Sequence, residues 1–215
     1  TVFLETAKAK QADLSTEIIN DMMEQKHNIE VLQKEVGQDS MTHFYNHERF
    51  RELLKHEIGR AERYKIELSV IICDIDNFKA INDSFGHLAG DGVIKTVANC
   101  LKEHLRESDL IARYGGDKFS IILPHTTPAK AYDIAERHRE KIAALKIKYQ
   151  KHKFTLTMSF GIASFQGGAR TSVDELIRRA DKALYKAKST GKNQSIWLEE
   201  KFKISSLPVC KAEVL

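Results

Sequence analysis

The segment at residues 67–74 constrains the fold more than any other part of the sequence. It reads ELSVIICD, a nearly continuous apolar run rich in β-branched side chains. Such a run is typical of a strand buried on both faces, because a strand with one wet face alternates apolar and polar residues. The chain therefore needs a sheet that is covered on both sides, and 42% apolar residues in a chain of 215 suffice for one such core.

Helices and strands alternate along residues 39–198, which predicts a single α/β domain with a mixed sheet. Apolar spacing, Thr127-Pro128 and the capping box at residues 172–175 predict helices, and Gly115-Gly116 is a two-residue hairpin signal. The predicted helices lie at residues 47–63, 77–83, 88–105, 127–145 and 172–188, and the predicted strands at residues 67–74, 111–114, 118–123, 154–165 and 195–198, the last at an edge.

The two ends of the chain differ from this domain. Residues 1–38 contain no proline and only one glycine, and their apolar residues recur at steps of three or four. This pattern predicts a long coiled-coil helix, a stalk that joins two copies of the chain; a helix packed on its own domain is the alternative. Residues 199–215 have no clear period and are predicted to be a tail.

Charge, apolar runs and cysteines exclude several classes of protein. The 34 Lys+Arg and 30 Asp+Glu residues give a net charge of +4, too small to indicate nucleic acid binding. No run approaches the roughly 18 apolar residues of a membrane helix, and no signal peptide is visible. Three widely spaced cysteines argue against a disulfide framework or a zinc site. We expect a cytoplasmic domain. A membrane tether remains an alternative only for a region that would precede Thr1.

Two carboxylates are the first candidates for chemistry. Asp74 ends the buried strand, and Asp117 follows the glycines of the hairpin. If their strands are neighbours, both side chains reach the same sheet edge, where hard oxygen ligands suit Mg²⁺ or Mn²⁺ and thereby a triphosphate. The alternative is that each aspartate only caps a loop.

Residues 74–91, DIDNFKAINDSFGHLAGD, concentrate polar residues and glycines just after the buried strand. Backbone amides at such a turn favour phosphate groups. Asn82 and Asp91 are candidates for reading a base, since a carboxylate accepts two parallel hydrogen bonds from guanine that adenine does not offer. The alternative is turn chemistry, with Gly86 and Gly90 at positive φ.

Taken together, these segments resemble the GGDEF family, the diguanylate cyclases of bacterial second-messenger signalling. The resemblance covers residues 39–195 with order and spacing kept. It rests on residues 39–50 (DSMTHFYNHERF), 74–91, 113–119 (RYGGDKF), 155–163 and 180–193 (ADKALYKAKSTGKN). It implies a five-stranded sheet with surrounding helices, like the palm of polymerases and class III nucleotide cyclases. It also implies a transferase that condenses two GTP molecules into cyclic di-GMP across an antiparallel homodimer.

The resemblance also implies roles for individual residues. Asp74, the carbonyl of Ile75 and Asp117 would hold the metals. Asn82 and Asp91 would read guanine. The residues placed against the nucleotide and its phosphates are Phe78, Lys79, Gly115, Gly116, Lys188 and Lys192, and those of an inhibitory product site for cyclic di-GMP are Arg106 and Asp109. For this last pair the alternative is an ordinary surface ion pair.

The signature hairpin departs from the family at Lys118, where the pattern has glutamate. An ammonium in place of a carboxylate changes the charge beside the metal site by two units, which predicts weakened turnover. The alternatives are that Lys118 points away, that it binds a phosphate, or that the residue is engineered. An active cyclase governed by the stalk and an upstream sensor therefore competes with a catalytically degenerate domain that binds GTP or cyclic di-GMP. A scaffold without a nucleotide role is disfavoured by the retained motifs.

Overall fold

A computed structural model of the chain describes residues 37–166 and 170–198, together with Met22. The predicted stalk, apart from Met22 and its last two residues, and all of the predicted tail beyond Leu198 lie outside the described residues. The elements are α1 (His47–Tyr64), β1 (Leu68–Ile75), α2 (Phe78–Phe85), α3 (His87–Lys102), β2 (Leu110–Gly115), β3 (Lys118–Pro124), α4 (Pro128–Ala143), β4 (Ile147–Tyr149), β5 (His152–Phe154), β6 (Met158–Phe165), α5 (Val173–Ser189) and β7 (Ser195–Trp197).

Strand β1 lies at the centre of a five-stranded sheet with the order β2-β3-β1-β6-β7. It pairs antiparallel with β3 on one side and with β6 on the other, while β7 adds to β6 in parallel. Almost every residue of β1 is buried, as the sequence predicts. The predicted mixed sheet with surrounding helices is confirmed, and β7 is an edge strand as expected.

The two faces of the sheet carry separate parts of the core. Ile71 and Cys73 of β1 face a cluster built with α3 and α4, whereas Val70 and Ile72 face a cluster built with α1 and α5. Burying a side chain of this size contributes about 1.5–3 kcal/mol to folding. The sheet is therefore the middle layer of three, and the polar ends of its strands are what remains accessible.

Side chains cap three helix starts, two of which, at Thr127 and Ser172, follow the predicted chemistry. The side chains of Asn46, Thr127 and Ser172 each accept a hydrogen bond from a backbone N–H of the first turn of their helix. Such caps replace an intrahelical partner that the first turn lacks. The segment before α1 pairs with the edge strand, since the Arg113 N–H donates to the carbonyl of Tyr45 over 2.8 Å.

Three predicted boundaries are wrong. The hairpin turn consists of Gly116 and Asp117, because Gly115 still belongs to β2 and the register shifts before it. Helix α3 ends at Lys102, so the following residues form a loop. The strand predicted at residues 154–165 is split, and its first residue belongs to a two-stranded β4–β5 hairpin that alternation alone did not indicate. Within the described residues, no helix is long and apolar enough to cross a membrane.

Gly161 sets how closely α5 approaches the sheet. A Cβ atom at this position of β6 would lie 2.2 Å from the carbonyl oxygen of Ala180 and 2.2 Å from the backbone nitrogen of Leu184. These neighbours are backbone atoms of α5 and have no flexible end to move. The helix therefore rests directly on the strand.

We expect Gly161→Ala to lower the free energy of unfolding by about 2 kcal/mol or more, because the helix must move off the sheet. Gly59→Ala is the matched control: Gly59 lies on the exposed side of α1 with nothing within 4 Å of an added Cβ. It should be neutral or stabilising by up to about 1 kcal/mol. Urea unfolding followed by circular dichroism measures both, and equal stability of the two variants would contradict the close-approach argument.

Candidate functional site

The end of β1 and the β2–β3 hairpin bring the two predicted carboxylates together. Asp74 is directly opposite Lys118 in the β1–β3 register, so Asp117 lies one residue beyond it. The N–H of Ile75 donates to the carbonyl of Asp117 over 3.3 Å. Burial raises the pKa of the Asp117 carboxyl, and the charge of Asp74 raises it further. The charge of Asp74 thus acts on Asp117, which means that the two side chains lie close together.

The ammonium of Lys188 is surrounded by oxygen atoms at this end of the sheet. Its Nζ lies 3.1 Å from the carbonyl oxygens of both Asp74 and Ile75. It also forms ion pairs with the Asp74 carboxylate and, over 2.8 Å, with the carboxylate of Asp76. Burial alone would lower the pKa of Lys188, but these carboxylates raise it on balance. Four oxygens thus converge on one cationic group.

This oxygen cluster fits the donor set that a hard divalent cation takes. The side chain of Asp74 and the carbonyl of Ile75 already share a cation in the form of the Lys188 ammonium, and Asp117 lies beside them. In the described part of the chain, no group of three or more His, Cys, Asp or Glu could hold a metal. A metal here would therefore depend on backbone carbonyls as well as on carboxylates.

Asp76 belongs to the site, and sequence reasoning did not single it out. The residue is 3% exposed, and its carboxylate accepts hydrogen bonds from Thr157, Ser159 and the backbone N–H of Asn193, at 2.7, 2.8 and 3.0 Å. The available signal was the second aspartate of the DID sequence after the buried strand. This signal was not used because the hydrogen-bond partners of Asp76 come from segments far away in the chain.

The predicted base-reading residues lie on two consecutive helices, Asn82 on α2 and Asp91 on α3. The Oδ1 atom of Asn82 is buried and has no hydrogen-bond partner. A Cβ at Gly90 would lie 1.9 Å from that atom and 3.1 Å from the ring of Phe78. Asp91 is half-buried next to Gly90, whereas Lys79 is exposed on α2. Gly90 therefore leaves space for the Asn82 amide, whose Oδ1 acceptor is buried and unpaired.

The hairpin that carries Asp117 is tied to the segment before α1 through Arg113. The guanidinium donates to the carbonyl of Gly116 over 2.8 and 3.0 Å, and it forms an ion pair with Asp39 over 3.0 Å. Burial alone would raise the pKa of the Asp39 carboxyl, but hydrogen bonds from Thr42 and the charge of Arg113 lower it on balance. Gly115 and Gly116 are both exposed at positive φ, so the turn is open toward solvent.

Lys118 lies beside the acidic end of the sheet, and its ammonium is directed toward α5. Its Nζ is 4.0 Å from Asp181 Oδ1, and both side chains are about 40% exposed. Burial raises the pKa of the Asp181 carboxyl, and the charge of Lys118 partly offsets this. The charge of Lys118 also acts on Asp117, whose raised pKa it lowers slightly. The pair is thus a weak, hydrated contact near the site.

The turn after α5 places the second predicted phosphate-contacting lysine. Gly191, Lys192 and Asn193 all have positive φ, at 128°, 62° and 45°. The ammonium of Lys192 donates to the side-chain oxygen of Asn77 over 2.5 Å. Lys188 and Lys192 therefore both approach the end of β1, from the last turn of a helix and from the turn that follows it.

Arg106 and Asp109 lie away from this cluster. They form a turn in the loop after α3, where the Arg106 N–H donates to the Asp109 carboxylate over 2.9 Å. With Glu103, His104, Leu105, Ile134 and Arg137 they line a cavity of about 360 Å³. Arg137, which the sequence did not single out, donates to the carbonyl of His104 over 3.0 Å.

Fold and geometry define an α/β domain with a cluster of carboxylates at one end of the sheet and a separate cavity lined by two arginines and two carboxylates. The family described as "Diguanylate cyclase, GGDEF domain" matches residues 36–194. The chain belongs to this family.

Two curated relatives show how far the similarity extends. Diguanylate cyclase DgcP of Pseudomonas aeruginosa is 39% identical over 156 residues, which are 73% of this chain and 23% of that protein. Diguanylate cyclase DosC of Escherichia coli is 38% identical over 170 residues, 78% of this chain and 36% of that protein. The chain thus spans well under half the length of these relatives.

Two solved structures are similar in fold. The coiled coil and GGDEF domain of DgcB from Caulobacter crescentus, in complex with c-di-GMP, has a TM-score of 0.77 and 27% identity, covering 89% of this chain and 98% of that one. The GGDEF domain alone of the same protein, again with c-di-GMP, has a TM-score of 0.73 and 29% identity, covering 77% and 94%.

Proposed function

We propose that this domain condenses two GTP molecules into cyclic di-GMP. The observation that carries the proposal is the convergence of Asp74, the Ile75 carbonyl and Asp117 at one end of the sheet, in a chain of the diguanylate cyclase family. In this reaction the 3′-hydroxyl of each GTP attacks the α-phosphate of the other, and two pyrophosphates leave. Catalysis then consists of positioning the two nucleotides and neutralising charge.

Asp74, the Ile75 carbonyl and Asp117 are the residues that would hold Mg²⁺ or Mn²⁺. The bound cation would neutralise charge on the triphosphate. The role of Asp117 requires its ionised form, and its raised pKa means that a cation must compete with a proton at a higher pH than for an ordinary aspartate. The Asp74 carboxylate forms an ion pair with the Lys188 ammonium.

Asn82 and Asp91 would select guanine over adenine. The unpartnered Oδ1 of Asn82 offers an acceptor, and a carboxylate at position 91 accepts two parallel hydrogen bonds from the base. Leaving such groups unpaired is costly, so a purine without the matching donors is rejected. Phe78 lies against this space and provides an apolar surface beside the base.

Lys188 and Lys192 would contact the β- and γ-phosphates, and Lys79 would lie beside them. The open turn at Gly115 and Gly116 would let the nucleotide approach the hairpin. Lysine binds phosphate as a compact point charge on a flexible stem, so the ammonium of Lys188 can reach from the acidic cluster to an adjacent phosphate. This end of the site supplies affinity for the triphosphate, whereas the α2–α3 end supplies base selection.

Turnover requires two domains, since each would hold one GTP. We propose a homodimer joined through the N-terminal helix, with an upstream sensor controlling how the domains meet. Support comes from the spacing of apolar residues before position 38 and from the similarity to the coiled coil and GGDEF domain of DgcB.

Lys118 would weaken catalysis without preventing it. At about 5 Å and an effective dielectric of ~20, a unit charge and a dication interact by roughly 6–7 kcal/mol. The exposure of Lys118 and its contact with Asp181 reduce this cost strongly. A residual of ~1.4 kcal/mol still corresponds to a tenfold slower reaction.

We therefore expect Lys118→Glu to form cyclic di-GMP at least about tenfold faster than the unaltered chain, because it removes a positive charge from the cation site. Chromatography of nucleotides after incubation with GTP and Mg²⁺ measures both rates. Lys118→Gln separates loss of the ammonium from gain of a carboxylate, and Asp117→Asn should abolish product. Absence of product from both the unaltered chain and Lys118→Glu would contradict the proposed activity.

A second prediction tests the base-reading site. Gly90→Ala should weaken GTP binding by about tenfold or more, since the added methyl group displaces the Asn82 amide and the Phe78 ring. Gly92→Ala on the same helix has nothing within 4 Å of its new Cβ and is the matched control. Calorimetric titration with GTP measures the affinity of both variants. Equal affinities of Gly90→Ala and Gly92→Ala would mean that Asn82 does not read the base.

The cavity beside Arg106 supports a second function, a receptor site for cyclic di-GMP. Its guanidinium groups and the Asp109 carboxylate suit the phosphates and guanines of the dinucleotide, and both DgcB structures contain c-di-GMP. This site would serve product inhibition in an active cyclase and signal reception in a degenerate one.

Arg106→Ala should weaken cyclic di-GMP binding by about tenfold or more while leaving GTP binding unchanged, because the exposed guanidinium would contact only the dinucleotide. Arg63→Ala, at an exposed position in the last turn of α1, controls for loss of surface charge. Calorimetry with cyclic di-GMP measures both variants. Unchanged affinity in Arg106→Ala would show that the pair is an ordinary surface contact.

A further inference from the structure

Asp76 is a buried carboxylate to which neither the sequence nor the proposed chemistry assigns a role. We infer that Asp76 is a positioning residue for the triphosphate, which it serves by holding Lys188 directly and Lys192 through the backbone of Asn193. The inference rests on the proposed function, because it takes the two lysines as the groups that contact the β- and γ-phosphates.

The direct link is an ion pair in a confined place. Asp76 Oδ1 lies 2.8 Å from the Lys188 ammonium, and the Asp76 side chain is only 1% exposed. Ser159 donates to the same oxygen over 2.8 Å, and Ser159 is itself fully buried on β6. The carboxylate is therefore held in place, and together with the Asp74 carboxylate it fixes the end of a side chain that would otherwise sample many rotamers.

The indirect link passes through the turn after α5. Asp76 Oδ2 accepts the backbone N–H of Asn193 over 3.0 Å and the hydroxyl of Thr157 over 2.7 Å. Lys192 and Asn193 both have a left-handed backbone, which asparagine tolerates but which is unfavourable for lysine and needs support from its surroundings. The bond to Asp76 supplies that support and thereby sets where Lys192 leaves the turn.

Each oxygen of the Asp76 carboxylate has two partners. Oδ1 contacts Lys188 and Ser159, and Oδ2 accepts hydrogen bonds from Thr157 and the Asn193 amide. Two oxygens with four donors leave little capacity for a further partner. Asp76 is thus already saturated, which separates its role from that of a metal ligand.

The test compares ligands with and without the terminal phosphates in Asp76→Asn, which keeps the shape and removes the charge. The probes are 3′-deoxy-GTP, which lacks the attacking hydroxyl and cannot be condensed, and GMP. We expect affinity for 3′-deoxy-GTP to fall by about tenfold or more and affinity for GMP to change by less than about twofold, because GMP lacks the β- and γ-phosphates that the two lysines would contact. A general loss of structure would weaken both.

A double-mutant cycle confirms the route of the effect. In a chain with Lys188→Ala and Lys192→Ala, Asp76→Asn should weaken 3′-deoxy-GTP binding no further. Additive losses, or equal loss of GMP and 3′-deoxy-GTP, would overturn the positioning role. The positioning role would also be overturned if Asp76→Asn weakened the binding of Mn²⁺ alone as much as Asp74→Asn does. That result would make Asp76 a metal ligand.

A milder variant answers the question if Asp76→Asn does not fold. Thr157→Val removes one hydrogen bond to Asp76 Oδ2 at nearly constant volume, and should lower 3′-deoxy-GTP affinity by about threefold with GMP affinity unchanged. Thr155→Val, at an exposed position two residues earlier, is the matched control. If the unaltered chain binds 3′-deoxy-GTP no more tightly than GMP, the phosphate role of both lysines is wrong and this inference fails with it.

Discussion

The antiparallel pairing of β1 with β3 and β6 is the constraint on which the rest of the structure depends. Because side chains alternate between the faces of a strand, a slip of one residue would exchange the two halves of the core and turn Asp74 to the opposite face. Eight residues of β1 are held in register with β6 and seven with β3. Packing of the core thus fixes the position of Asp74, and the turn between β2 and β3 fixes the position of Asp117.

Beyond the sheet, the site is held by polar contacts that join distant parts of the chain. Asp76 links the end of β1 to β6 and to the turn after α5, and Arg113 links the hairpin to Asp39 before α1. Buried charges of this kind stabilise a fold only if every partner is present, and the loss of one leaves an uncompensated charge. The segment that follows the predicted stalk is therefore coupled mechanically to the hairpin that carries Asp117.

The sequence predicted the elements with strong local signals and missed those that depend on distant partners. The apolar run of β1 and the caps at Thr127 and Ser172 act over a few residues, so their pattern is visible locally. The role of Asp76 arises from contacts at separations of 81 to 117 residues, and the place of Gly90 arises from Asn82 on another helix. The turn shifted to Gly116-Asp117 because a register irregularity, which no composition signal marks, lengthens β2.

Lys118 alters one end of the molecule and leaves the other untouched. The acidic end of the sheet and the cavity lined by Arg106, Asp109 and Arg137 share no residue, and the cavity belongs to the loop after α3 and to α4. The ammonium of Lys118 is partly hydrated and paired with Asp181, so its field is screened within about 10 Å at ordinary ionic strength. Position 118 therefore borders the proposed cation site and is not among the residues that line the cavity. The proposed catalysis and the proposed recognition of the dinucleotide depend on different residues of this fold.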